Sequence, residues 1–165
     1  MMPAVPSPGA PQHPQHPQHP QRIVFRVEGM APAPQGSKRP LGKDRLGRTV
    51  LVESCKRVKP WRQMVTEAAL ATGAPMLTGP VVLRCEFLFL RPLGHFRRDG
   101  TLKPSAPRWH AVRPDGSKLL RSSEDALSQV LIHDDARIVT TIGHKRWCRG
   151  DERPGALFTL FTLPT

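Results

Sequence analysis

The sequence has no tyrosine, three tryptophans and six phenylalanines, so aromatic side chains make up only 5% of its 165 residues. Its core must be mostly aliphatic, with few large rings to anchor it. Cysteine is equally sparse. Cys55, Cys85 and Cys148 are odd in number, far apart and contain no Cys-x-x-Cys pair. That excludes a fully paired disulfide framework and argues against a thiolate zinc site, leaving reduced thiols. No run approaches the roughly 18 apolar residues of a membrane span, and the first residues lack the basic start and apolar stretch of a signal peptide. These absences lead us to expect a soluble, cytoplasmic chain with no membrane partner, and the charge balance adds nucleoid association to that expectation. Acidic residues are also short: 13 Asp and Glu stand against 25 Lys and Arg, a formal net charge of +12. Such an excess is the footprint of polyanion binding, nucleic acid above all. A ribosome-associated or merely solvated basic surface would have the same composition.

What is abundant is proline, and much of it lies at the start. Residues 1–21, "MMPAVPSPGAPQHPQHPQHPQ", carry almost no aliphatic bulk and cannot offset the entropy of becoming ordered. They are expected to form a disordered leader. Its Gln-His-Pro repeat favours polyproline II, which at about three residues per turn would align His13, His16 and His19 on one edge, a weak transition-metal site at most. Residues 22–165 then form one domain.

Within that domain "RIVFRVEGM" alternates Ile23, Phe25 and Val27 with polar residues, as in a half-buried strand. "APAPQGSKRPLGKDRLGR" reads as a long exposed loop, and "TVLVES" as a short strand. "PWRQMVTEAALATG" has Pro60 in a first turn, a Trp61, Val65, Ala68, Ala69 stripe and Gly73 at its end, which predicts a helix. Trp61 suits the core better than a base-stacking platform. "GPVVLRCEFLFLRP" is a central strand carrying Val82, Cys85, Phe87 and Phe89. A second basic, proline-punctuated loop with His95, Trp109 and His110 follows. Residues 117 to about 130 are expected to be helical, with Leu120, Leu127 and Leu131 on one face. "ARIVTTIGHKRW" is a strand with Ile138 and Ile142 on one side. "GALFTLFTL" is the last strand, with Leu157, Thr159 and Phe161 opposite Phe158, Leu160 and Thr162. The order β-β-α-β-loop-α-β-β describes an α+β domain: a mixed sheet with two main helices packed on it.

The chemistry concentrates in two turns. "RPDGSKLLRSSEDAL", residues 113–127, places Asp115 before the second helix, and "HDDARIV" places Asp134 and Asp135 after it. Asp in Pro-Asp-Gly is an ordinary turn residue, Ser117 is a good N-cap, and Asp-Asp before a strand is common punctuation. Yet these carboxylates lie between two basic stretches. Lys38–Arg62 holds nine basic residues against Asp44 and Glu53, and Arg91–Arg121 holds eight against Asp99 and Asp115. Hard oxygen ligands beside a cationic surface are what a metal-dependent nuclease requires. A helix of about 14 residues is about 20 Å long, so the two acidic groups cannot meet through the helix alone.

"APAPQGSKR", "VKPWRQMV", "KPSAPRWH", "RPDGSKLLRSSEDAL" and "HDDARIV" together resemble the RusA-type Holliday junction resolvases, crossover junction endodeoxyribonucleases, in the variety of actinobacteria and their phages. The similarity covers about residues 23 to 163. Its most specific part is Pro-Asp-x-Asp-(Asn/Lys)-Leu, then Asp-Ala-Leu, then Asp-Asp before a strand, matched here by Pro114, Asp115, Lys118, Leu119, Asp125, Ala126, Leu127, Asp134 and Asp135. The resemblance implies a Mg²⁺-dependent endonuclease, with Mn²⁺ a possible substitute, that acts as a homodimer and nicks opposing strands of a four-way DNA junction in recombination and repair. It carries metal binding to Asp115 and Asp135, an auxiliary carboxylate to Asp134, and a catalytic basic residue to Arg121. Ser117 departs from the pattern, since the family has an aspartate there. A serine hydroxyl can ligate magnesium but brings no charge. Glu124 departs too, at a usually apolar position. DNA contacts are expected from Lys38, Arg39, Lys56, Lys59, Arg97, Arg98, Lys103, Arg108 and Lys118. The alternatives are a catalytically inactive binder of branched DNA and a basic RNA-associated protein, for which the spacing of Asp115 and the Asp134–Asp135 pair would have no use.

Overall fold

A computed structural model describes residues 21–36, 38–53 and 55–164. The expectations for the leader up to residue 20, including His13, His16 and His19, lie outside these residues. Four strands form the main sheet: β1 (Arg22–Glu28), β4 (Val81–Phe89), β5 (Ile138–Trp147) and β6 (Gly155–Thr162), in the order β1-β6-β4-β5. β4 pairs in parallel with β5 and antiparallel with β6, so the sheet is mixed. A parallel pair needs a long crossover, and this one contains helix α2 (Gly116–Leu127). Helix α1 (Val58–Leu70) packs against α2 and β1. This is the α+β architecture expected from the sequence. No helix among the described residues is long and apolar enough to cross a membrane.

Patterning explains the strands. β1 buries Ile23, Phe25 and Val27 and exposes their neighbours. Phe25 lies opposite Phe158 of β6, and their rings stack at 4.9 Å. β6 buries Phe158, Leu160 and Thr162 as its alternation predicted. β4 has neighbours on both sides and is buried along most of its length, which suits its near-continuous apolar run. In α1, Val58, Trp61, Val65 and Ala69 are buried; Trp61 belongs to the core and offers no platform to a base. The three cysteines are free thiols.

Three features differ from the sequence reading. The first basic loop contains a strand, β2 (Lys38–Lys43), which pairs antiparallel with β3 (Thr49–Glu53) in a separate hairpin. No apolar alternation marks it in the sequence KRPLGK. The turn supplies the signal: Asp44 Oδ1 accepts hydrogen bonds from the amides of Leu46 and Arg48, and Gly47 takes the positive φ of +74°. Second, α2 ends at Leu127 and buries Leu119, Ser122, Ser123, Ala126 and Leu127. Leu120 is only half-buried, against Gly143 of β5, and Leu131 lies in the following loop. Buried serines at helical spacing hide the true face, and Ser123 Oγ satisfies itself on the Leu119 carbonyl at 3.0 Å. Third, the N-cap position of α2 is Asp115, so Ser117 is the second helical residue and not the cap. Glu124 is accommodated by Thr141, whose hydroxyl donates to it at 3.1 Å.

One ion-pair group fastens the end of β5. Arg146 bonds Glu86 on β4 and grips Glu152 beyond the strand end, with Nη2 2.8 Å from Oε1. That grip holds the Glu152 carboxyl down at about 2. Because the folded-state value lies below the ordinary 4.5, the stabilisation is complete above pH 4.5 and lost as pH falls toward 2. Glu152→Gln should cost about 1–2 kcal/mol at neutral pH and flatten this acid limb. Urea unfolding at a series of pH values measures both.

Candidate active site

Asp115 stands where the second basic loop enters α2. Its carbonyl accepts the first helical hydrogen bond, from Leu119 N at 3.2 Å. Its side chain caps nothing, is 58% exposed and lies 3.4 Å from Lys118 Nζ. The helix start holds partial positive charge, which favours a carboxylate there. The preceding loop is pinned from β5: Lys145 Nζ donates to the carbonyls of Val112 and Pro114, each at 2.8 Å. A cleft of about 510 Å³ opens beside Asp115, with Arg57, Arg113 and Lys118 among its walls. Arg57, Arg113 and Lys118 thus gather around one exposed carboxylate.

Asp125, the acid of Asp-Ala-Leu, has another role. It accepts from Gln35 Nε2 and pairs with Arg62 of α1 at 3.4 Å. Arg62 also donates to Gln35 Oε1, and Thr66 Oγ1 donates to the Ala126 carbonyl at 2.9 Å. The Gln35 amide donates to the Lys118 carbonyl at 3.0 Å. Asp125 thus ties α1, α2 and the 31–36 segment behind the cleft, a structural use of a motif residue.

Asp134 and Asp135 lie elsewhere. Asp134 caps a 3₁₀ turn, Asp135–Arg137, with Oδ1 accepting from the Ala136 amide at 2.8 Å. That bond holds its carboxyl below the ordinary range. α2 and β5 run antiparallel: Leu120 meets Gly143, Glu124 meets Thr141, and Lys145 reaches the loop before Asp115. Asp115 is therefore beside the end of β5 and Asp135 precedes its start. Seven residue steps along the strand from Ile138 to Lys145 put about 20 Å between the two acids, and the length of α2 gives much the same figure. Among the described residues no three or more His, Cys, Asp or Glu side chains gather closely enough to hold a metal ion.

Ser117 and Arg121 are both exposed and one turn apart on α2. Lys56 and Lys59, before and within the first turn of α1, are exposed, as are Arg97, Arg98 and Arg108. Lys103 is half-buried and donates to the Gly94 carbonyl. Lys38 and Arg39 belong to β2, their side chains outside the described residues. Arg57 and Arg113 in the cleft, and Lys145 behind it, are not singled out by sequence. Basic residues are frequent here, and only tertiary pairing distinguishes these three.

A cationic cleft with a carboxylate at a helix start, on a strongly basic domain, has the surface chemistry of an enzyme that cuts nucleic acid. The family model described as Endodeoxyribonuclease RusA matches residues 32–155. The chain belongs to this family of nucleases, and the match contains both acidic turns, the cleft and both helices. No curated protein matches the chain at a significant level.

Proposed function

We propose that the protein is a Mg²⁺-dependent, structure-specific endodeoxyribonuclease that resolves Holliday junctions as a homodimer, with activity weakened by Ser117. The observation that carries this reading is the family match across the cleft that presents Asp115. One protomer does not fit magnesium by itself, because Asp115 and Asp135 are at opposite ends of an antiparallel helix–strand pair. A second chain supplies the remedy. β5 is an edge strand with Val139 57% and Ile142 47% exposed. Two copies meeting antiparallel about its midpoint would set the partner's strand start beside this chain's strand end, and a two-fold axis repeats the arrangement. Each of two sites then draws Asp115 and Ser117 from one chain and Asp134 and Asp135 from the other. Magnesium, or Mn²⁺ in its place, supplies phosphate neutralisation and an activated water in such a site. Arg57, Arg113 and Lys118 hold the DNA backbone, and Arg121 faces the charge developing on the phosphate. The missing carboxylate at Ser117 favours one alternative, a branched-DNA binder that no longer cuts.

Competition between a four-way junction and linear duplex, in EDTA, tests the substrate. Preference for the junction by about 10-fold or more is expected; equal affinity would remove the structure-specific reading. Replacing Arg97 and Arg98, or Lys38 and Arg39, by Gln should lower the salt slope of junction binding by about 2, since each phosphate contact contributes about 0.9. An unchanged slope would take those residues off the DNA surface.

A further inference from the structure

Around the end of β5 lies a second cavity, of about 420 Å³. That size falls within the roughly 300–1,000 Å³ of small-ligand sites. Its walls include Arg91, Arg108, Arg146 and Arg149, both Trp109 and Trp147, and no carboxylate. Arg146 is already paired with Glu86 and Glu152, which leaves Arg91, Arg108 and Arg149 to meet an anion. Arg91 is held in place, with Nη1 on the Pro107 carbonyl at 2.9 Å and its guanidinium over the Trp147 ring at 5.4 Å.

The aromatic groups form a graded set. Trp147 is 6% exposed and packs against His110, at 4.3 Å between ring centres, which in turn stacks on Phe89 at 4.1 Å. The Trp147 indole N–H is buried with no protein partner among the described residues. An orphaned buried donor is costly and is ordinarily met by water or a ligand. Trp109, by contrast, is 58% exposed. It makes a T-shaped contact with His144, 6.1 Å between ring centres, and Arg108 lies over the ring at 5.2 Å. In a chain with so few aromatic residues, a large ring kept at the surface among arginines is not explained by packing.

The geometry points to a pocket for a single unpaired nucleotide of DNA, its base stacked on Trp109 and its phosphates met by Arg108 and Arg149. Duplex DNA does not offer this, because its base faces are covered by their neighbours, whereas an extruded nucleotide exposes a face. Stacking on an exposed ring accepts any base. His144 and Lys145 are consecutive on β5, and Lys145 pins the loop carrying Asp115. The pocket and the cleft are thus both built on the end of β5. The inference deepens the junction-nuclease reading, since continuous stacking along a strand is interrupted at a branch point, and it rests on that reading for its biological use only.

The test uses the full chain in EDTA, with fluorescence anisotropy of a short labelled oligo(dT), its abasic counterpart and a linear duplex. Trp109→Ala should weaken oligo(dT) binding about 10-fold, Trp109→Phe should restore most of it, and duplex affinity should stay within about two-fold. The abasic strand should bind the natural protein about 10-fold more weakly than oligo(dT) and be insensitive to Trp109. Equal binding of abasic and base-bearing strands would overturn the proposal and leave a phosphate site. An equal loss on duplex would overturn it as well, since Trp109 would then be a general contact. If oligo(dT) behaves as expected while junction and duplex compete equally, the pocket stands and the junction reading fails.

Discussion

Ser117→Asp is expected to raise the Mg²⁺-dependent cleavage rate on a four-way junction by about 100-fold or more. The estimate starts from the 10–100-fold cost of losing even an outer partner of a metal ligand, and a direct charged ligand counts for more. Ser117 is exposed in the first turn of α2, two residues beyond Asp115. A carboxylate there needs no repacking and interacts well with the helix start, adding about 0.3–1 kcal/mol of stability. So small a gain in stability would not produce a rise in rate of about 100-fold, and thermal unfolding of both proteins would verify this. If both forms cut equally, serine and water suffice as ligands and Ser117 is no lesion. If both bind the junction and neither cuts, the damage extends beyond this position and the non-cutting binder is the better description.

In the Ser117→Asp background, Asp115→Asn and Asp135→Asn should each lower single-strand nicking by about 100-fold or more, yet their mixture should nick well. With free exchange half the dimers are mixed, and each mixed dimer keeps one site with both acids intact. Nicking should recover to about a quarter of the doubly intact level, as two-fold symmetry requires. Paired nicking should not recover, because the second site in the same dimer has lost both acids. A site made within one chain gives the opposite result, since every site in the mixture would lack one acid. The contrast is large because it compares about a quarter with about one hundredth.

Much of the fold was legible because its signals are local. Ile23, Phe25 and Val27 alternate, Val58, Trp61, Val65 and Ala69 recur at helical spacing, and β4 carries the apolar run of a central strand. β2 is not legible because its hairpin is a separate two-stranded sheet and the sequence KRPLGK carries no apolar alternation. The buried face of α2 is hidden in the sequence because Ser122 and Ser123 are in the core while Leu120 is only half-buried. The candidate site was legible as residue types and spacings only. That Asp125 serves as a brace for Gln35 and Arg62, that Lys145 holds the Asp115 loop, and that Asp115 and Asp135 lie at opposite ends of β5 all depend on pairings between distant segments. Trp109 shows the same limit: a tryptophan in a basic loop has no assigned place until the strand beneath it is known.

Mn²⁺ binding by the Ser117→Asp protein, followed through the loss of the free-ion EPR signal at protein concentrations above and below dimer dissociation, tests the two-chain site most directly. The account predicts two ions per dimer and no comparable binding once the chains separate. An ion bound with undiminished affinity by the single chain would contradict it, and so would a dimer that binds none.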